Sequence, residues 1–236
     1  MSATGRRDVR DPSDCYAPPA WCVHRLLEAA HLPGGLWLEP CAGSGMLMQA
    51  VADKRNDVIW HAIEFRGECL PELDAIPTCQ VAVQGSFQAV PADPRYAVVL
   101  TKPPCRSALA FAQHALKFSS VVLFLLRLNW LASAKHASWI RRHLQHLYVL
   151  PDLLSCVGDS SDATDPVDYG WFLFRHPEDV SLPTITILAT TPASERANRT
   201  ARTRGQRDLF DQKENDNGGR AEETDAESAG ESSQDA

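Results

Sequence analysis

The sequence predicts an α/β fold: a doubly wound, mostly parallel, seven-stranded sheet with helices on both faces. Two observations carry this. Stretches with apolar residues at helical spacing alternate along the chain with short apolar runs, the pattern of repeated strand–helix units. The runs are close to continuously apolar, as in "YAVVLT" and "SVVLFLLRL", which marks strands buried on both faces. The chain has 236 residues, 44% of them hydrophobic, enough for one sizeable core and a tail.

The first helix falls on "PPAWCVHRLLEAA" (18–30), where Trp21, Leu26, Leu27 and Ala30 stand near helical spacing behind two prolines suited to a helix start. "LWLE" (36–39) is a short buried strand and "MLMQAVADK" (46–54) a helix. "VIWHAIE" (58–64) is the second strand, followed by a proline-marked helical piece, "CLPELDAI". "VAVQ" (81–84) and "YAVVLT" (96–101) are the third and fourth strands. "SALAFAQHALKF" is a helix and "SVVLFLLRL" a long buried strand. "LASAKHASWIRRHL" (131–144) is a further helix, and "LYVLP" and "DYGWFLF" supply the last two strands.

Three regions are expected: a flexible N-terminus (1–14), one domain (15–192) and a disordered charged tail (193–236). The tail has almost no large apolar residue besides Leu209 and Phe210, so burial cannot offset the entropy of ordering it. A net charge of −7 excludes a uniformly basic nucleic-acid coat but not a local basic groove. The seven cysteines are an odd number with no CxxC pair, which argues against a disulfide scaffold and a thiolate metal site. The polar start, "MSATGRRDVRDPSD", lacks the apolar core of a secretory leader. The longest apolar stretch, "VVLFLL", is too short to cross a bilayer. A reducing, cytoplasmic location is the default expectation, with no membrane and no metal.

Two features point to a nucleoside cofactor. After the first strand comes "PCAGSGMLMQA", where Gly43 and Gly45 permit a tight turn and close approach of a ligand. Ligands of open α/β sheets sit at the carboxyl ends of strands around such a turn. The second strand ends at Glu64, some 20 residues on, where an acid can accept both hydroxyls of a ribose. A plain strand-to-helix turn and a solvated glutamate would explain either feature alone. Position 48 is Met48, so the dinucleotide pattern GxGxxG is not met.

"LEPCAGSG", the acidic end of the second strand and the diproline after the fourth resemble a class I S-adenosylmethionine-dependent methyltransferase. More narrowly, the chain resembles the small DNA N6-adenine methyltransferases of phages and prophages. The stretches concerned are "YAPPAWCVHRLLEAAHLPGGLWLEPCAGSG", "VLTKPPCRSALAFAQHAL", "VVLFLLRLNWLASAKHASWIRRHL", "LYVLP" and "DATDPVDYGWFLF". The resemblance implies that Glu39, Cys41, Ala42, Gly43 and Gly45 cradle the methionine part of S-adenosylmethionine and that Glu64 holds its ribose. Tyr16 would line the methionine end. Where the family commonly has Gly-Asp-Phe beside the adenine, this chain has Gly85-Ser86-Phe87. Ser86 would lose a charge-assisted hydrogen bond, and Phe87 could still pack on the ring.

The family's catalytic loop reads Asn or Asp, Pro, Pro, aromatic; here it is Lys102-Pro103-Pro104-Cys105. An exocyclic amine is a poor nucleophile, and acceptors for its protons aim its lone pair at the methyl group. A protonated lysine is a donor only, and a cysteine has no ring to stack on a flipped base. Three readings stay open: adenine methylation by a variant geometry, binding of cofactor or DNA without turnover, and pyrimidine C5 modification through a Cys105 thiolate.

For DNA as partner, the basic and aromatic cluster "RLNWLASAKHASWIRRH" offers Arg127, Asn129, Trp130, Lys135 and Arg141. A solvated amphipathic helix has the same composition. In the tail, Gln206, Leu209 and Phe210 of "QRDLF" resemble the pentapeptide by which bacterial proteins dock on the replicative sliding clamp.

Overall fold

The computed structural model describes residues 18–152, 167–192 and 194–195. The chain divides into two units, Met1–Pro192 and Ala193–Ala236, and every element below belongs to the first. Tyr16, Gln206, Leu209 and Phe210 lie outside the described residues.

Helix α1 (Ala20–Ala29) starts directly after Pro19, whose φ of −66° suits a helix entrance, and buries Trp21, Cys22, Val23 and Leu26. Strand β1 (Gly35–Glu39) follows, then α2 (Met46–Ala52), β2 (Val58–Glu64), α3 (Leu70–Asp74) and β3 (Cys79–Gln84). Next come β4 (Val98–Thr101), α4 (Ala108–Ala115), β5 (Val122–Arg127) and α5 (Ala137–His143). The last three strands are β6 (Leu144–Val149), β7 (Tyr169–Phe174) and β8 (Thr184–Ile187).

The strands form one sheet in the order β3-β2-β1-β4-β5-β7-β6-β8. All are parallel except β7, which runs antiparallel between β5 and β6. The fold class expected from the sequence is present, with one strand more. Strand β8 pairs in parallel with β6, Leu147 opposite Ile185 and Val149 opposite Ile187. Its "TITI" leaves both isoleucines exposed, so it lacks the continuous apolar run that identified the other strands. The expected helix over 131–144 is shorter, because Leu144 is already extended (φ −74°, ψ 116°) and pairs with Phe174 of β7. A buried sheet partner there outweighs helical propensity.

Successive strand residues point to opposite faces, so each side of the sheet has its own core. On one side Trp37, Trp60 and Trp171 meet Leu26 of α1, Met48 of α2 and Leu73 of α3. Trp37 and Trp60 touch edge to face at 5.3 Å, and the Trp171 indole donates to Cys22 O at 2.9 Å, tying β7 to α1. On the other side Leu38, Phe124, Phe172 and Phe174 pack with Phe111 of α4 and Ile140 of α5.

The second helical layer is incomplete. Between β3 and β4 there is only a 3₁₀ turn, Phe87–Ala89. Ile59, Val81 and Val83 are therefore exposed. An open groove of about 450 Å³ lies there, lined among others by Ile63, Val83, Tyr96 and Phe118.

Gly170 of β7 is a close-approach position: a Cβ there would stand 2.9 Å from both Leu128 Cδ2 and Tyr148 O. Backbone cannot yield as a flexible side chain can, so Gly170→Ala is expected to lower unfolding stability by about 1–3 kcal/mol. Urea denaturation of the two proteins measures this.

Candidate functional site

The carboxyl ends of β1, β2 and β4 converge, because these strands are parallel neighbours. Trp37 and Leu38 of β1 pair with Val98 and Val99 of β4, and Glu39 stands opposite Ala62 of β2. The loop after β1 turns sharply. Gly43 (φ 55°) and Gly45 (φ 78°) both take the left-handed conformation, which side-chain-bearing residues adopt at a cost. At Gly45 an added Cβ would also run into the Ile76 side chain and stand 3.1 Å from Leu73 Cδ2. Ala42 N–H donates to Ile63 O at 3.1 Å, lashing the loop to β2.

Glu64 completes this attachment. Its Oε2 accepts the Gly43 N–H at 2.6 Å, and its Oε1 accepts the Arg66 N–H and Nε–H, each at 3.0 Å. Burial pushes its carboxyl up, but the Arg66 hydrogen bonds, the Gly43 N–H and the Arg66 charge outweigh it and hold the group below its ordinary range. Both acceptor sites of Oε1 are thereby filled, and Oε2 keeps a lone pair beyond its bond to Gly43.

Glu39 is its opposite. It is 0% exposed and accepts one long hydrogen bond, from Cys41 N–H at 3.3 Å. Burial drives its carboxyl up to about 8, opposed by the nearby Thr101 hydroxyl and the Cys41 N–H and assisted by the Glu64 charge. Neither Glu39 Oε2 nor Thr101 Oγ1 has a partner in good hydrogen-bond geometry. The half-buried Cys41 has its thiol raised well above the ordinary range by burial and then by Glu39, against the opposing pull of Thr101 and Lys102.

Around this centre the other candidates separate. Ser86 is exposed at the start of the 3₁₀ turn, beyond a Gly85 N–H that donates to Glu64 O at 2.9 Å. Phe87 is not available to a ligand. It is 2% exposed, and its ring packs on Phe111, His114 and Phe118 beneath the sheet end. The aromatic that the site does present is Phe65, directly after Glu64 and 74% exposed. Sequence reasoning missed it, although an aromatic just beyond a strand-terminal acid is a readable signal. Arg66 and Thr101, which touch the two glutamates, carry no motif of their own in the sequence and become visible only through these contacts.

The lip after β4 has Lys102 half-buried, Pro103 buried, and Pro104 and Cys105 exposed. Pro104 O accepts the Ser107 N–H at 3.1 Å, which starts α4. Lys102 stands close enough for its charge to be felt at the Cys41 thiol, so lip and glycine loop face one another.

Of the residues expected at nucleic acid, Asn129, Lys135 and Arg141 are exposed. Trp130 is not a stacking platform: it is 7% exposed, packed edge-on to Phe172 at 5.7 Å and stacked on His136 at 4.5 Å. Its place at the end of the continuous apolar strand β5 carries it into the core. Arg127 Nε donates to the Tyr169 hydroxyl at 3.2 Å. Among the described residues no cluster of three or more His, Cys, Asp or Glu could hold a metal ion, and no helix is long and apolar enough to cross a membrane.

No family model matches the sequence, and no curated protein matches it. Solved structures do match the fold. A protein provisionally assigned as an RNA methyltransferase from Pyrococcus horikoshii superposes with a TM-score of 0.51 at 14% identity, over 66% of this chain and 81% of that one. A predicted O-methyltransferase from Agrobacterium tumefaciens superposes with a TM-score of 0.50 at 13% identity, over 72% of this chain and 84% of that one. At such identities the likeness concerns architecture alone, and the architecture is the Rossmann-like one of class I methyltransferases.

The Glu39 carboxyl gives a test of the site's electrostatics. Its folded value, about 8, lies above its ordinary 4.5. The stability its proton contributes is complete below about 4.5 and is lost as pH rises through about 8. Glu39→Gln, which keeps the shape and has no proton to lose, should gain on the native protein as pH rises. The gain should reach on the order of 3 kcal/mol near pH 9 in urea denaturation. An unchanged difference between acid and alkaline pH would contradict the buried, uncompensated carboxylate.

Proposed function

We propose that this chain is an S-adenosylmethionine-dependent methyltransferase whose target is a base in DNA, adenine N6 being the position favoured. The observation that carries the cofactor reading is the Gly43–Glu64 hydrogen bond of 2.6 Å. It joins the two features that the sequence marks as cofactor-holding and sets them at the carboxyl ends of adjacent parallel strands. The residues fit the donor. The loop at Gly43 has no side chain to block close approach, Glu64 Oε2 retains a lone pair for a hydroxyl, and the Phe65 ring is free to cover a purine face.

When bound, S-adenosylmethionine supplies an electrophilic methyl group. The chain's own residues then have distinct tasks. Loop 39–45 positions the amino-acid part, Glu64 orients the ribose and Phe65 packs on the adenine. At the lip, the Pro104 carbonyl is occupied by Ser107, so the Pro103 carbonyl is the acceptor offered to an incoming amine. Lys102 is a donor where an acceptor would speed the reaction, and Cys105 offers no ring. These two residues favour a second reading, in which the protein binds cofactor or DNA without turnover. Asn129, Lys135 and Arg141 would meet the DNA. The tail motif Gln206, Leu209, Phe210 would dock on a sliding clamp.

Equilibrium dialysis with S-adenosylhomocysteine tests the cofactor reading: binding is expected, and Phe65→Ala should weaken it about five- to a hundredfold, the range of one stacked ring. No association at millimolar concentration rejects the reading. Labelled S-adenosylmethionine with unmodified duplex DNA, followed by digestion to nucleosides, tests the target. Label is expected on N6-methyladenine, and Lys102→Asn with Cys105→Phe should raise it by on the order of 10²-fold or more. Label on a pyrimidine would favour Cys105 chemistry, and cofactor binding without label the second reading. Leu209→Ala with Phe210→Ala should abolish capture by a bacterial sliding clamp; unchanged capture would dismiss the motif.

A further inference from the structure

The two carboxylates of the site differ in how their charge is met. Glu64 has three N–H donors and an ion pair with Arg66 at 3.0 Å. Glu39 has a single hydrogen bond of 3.3 Å, and no ion pair to it occurs among the described residues. It is fully buried between the ends of β2 and β4, and neither its Oε2 nor the nearby Thr101 Oγ1 has a partner in good hydrogen-bond geometry, although that hydroxyl still eases its charge. A carboxylate placed so is poorly screened, and a cation arriving nearby relieves it.

Resting on the cofactor reading above, we propose that Glu39 makes this site discriminate by ligand charge, favouring the sulfonium donor over the neutral thioether left after transfer. Donor and product share their adenosine, amine and carboxylate, and differ by one methyl group and one positive charge on sulfur. The amine's positive charge is common to both ligands and acts on Glu39 alike, so with no further charge on sulfur Glu39 keeps more of its proton. A sulfonium above loop 39–45 favours the carboxylate, and the proton passes to solvent. Preference for donor over product is therefore small in acid and grows as pH rises. Glu39 acts as a positioning residue, since its carboxylate holds the loop through Cys41 N–H.

The groups facing Glu39 are Cys41 on the loop, Glu64 at the end of β2, and Thr101 on β4 with Lys102 beyond it. Glu64 stays ionised because Arg66 and Gly43 hold it below its ordinary range, and the Cys41 thiol is raised well above its own. Of these carboxyls and thiols, Glu39 alone changes charge across neutral pH.

The test compares dissociation constants of S-adenosylmethionine and S-adenosylhomocysteine at about pH 6 and about pH 8.5, for the native chain and Glu39→Gln. In the native chain the donor-over-product ratio should rise about tenfold between the two. In Glu39→Gln it should stay flat, near the native value in acid. Titration of the ligands' own amines is common to both proteins, so their difference isolates Glu39. A flat native ratio, or the same rise in Glu39→Gln, overturns the proposal. Failure of both ligands to bind the native chain would instead remove the cofactor reading. Should Glu39→Gln fold poorly, calorimetry of the native chain in two buffers of different ionisation enthalpy decides. Greater proton release near neutral pH on binding donor than product supports the proposal, and equal release overturns it.

Discussion

The short hydrogen bond from the Gly43 N–H to Glu64 Oε2 is the contact on which the rest of the site depends. It fixes the glycine loop of β1 against the end of β2, and with Ala42 N–H bound to Ile63 O it leaves that loop little freedom. A carboxylate serves here because an ionised acceptor makes a stronger bond than a neutral one and can accept several donors together. The same group takes both Arg66 donors, so one side chain organises the loop and the residues leading to Phe65. The left-handed turns at Gly43 and Gly45 make this geometry possible.

Beside this well-satisfied anion lies one that is not. Glu39 and Glu64 sit on neighbouring parallel strands, so the architecture that gathers ligand groups at one edge also crowds two acids together. The conflict is settled by unequal compensation. Arg66 and Gly43 keep Glu64 charged, while burial leaves Glu39 readily neutralised. Two chemically identical side chains thereby have their charge met in opposite ways.

The incomplete helical layer bears on the same region. Because β3 reaches β4 through a single 3₁₀ turn, Val81, Val83 and Ile59 stay exposed. The inner aromatic, Phe87, is drawn down into the Phe111–Phe118 cluster and helps to close the core where a helix is absent. The outer one, Phe65, is left at the surface.

Read alone, the sequence determined the sheet, its first seven strands and the pairing of a glycine loop with an acid some 20 residues on, because buried strands and tight turns each restrict composition locally. It did not disclose β8, whose "TITI" is anchored by pairing with β6 rather than by its own burial. Nor did it disclose that Phe87 and Trp130 turn inward while Phe65 turns outward. Aromatics that each follow a strand have opposite fates there, and the choice depends on neighbours distant in the chain. Charge is partly so: Arg66 stands two residues from Glu64, but only tertiary structure brings the Gly43 N–H to it and leaves Glu39 buried with one long hydrogen bond. Composition and spacing report what a segment can do, whereas exposure and charge compensation are properties of contacts that exist only once the strands have come together.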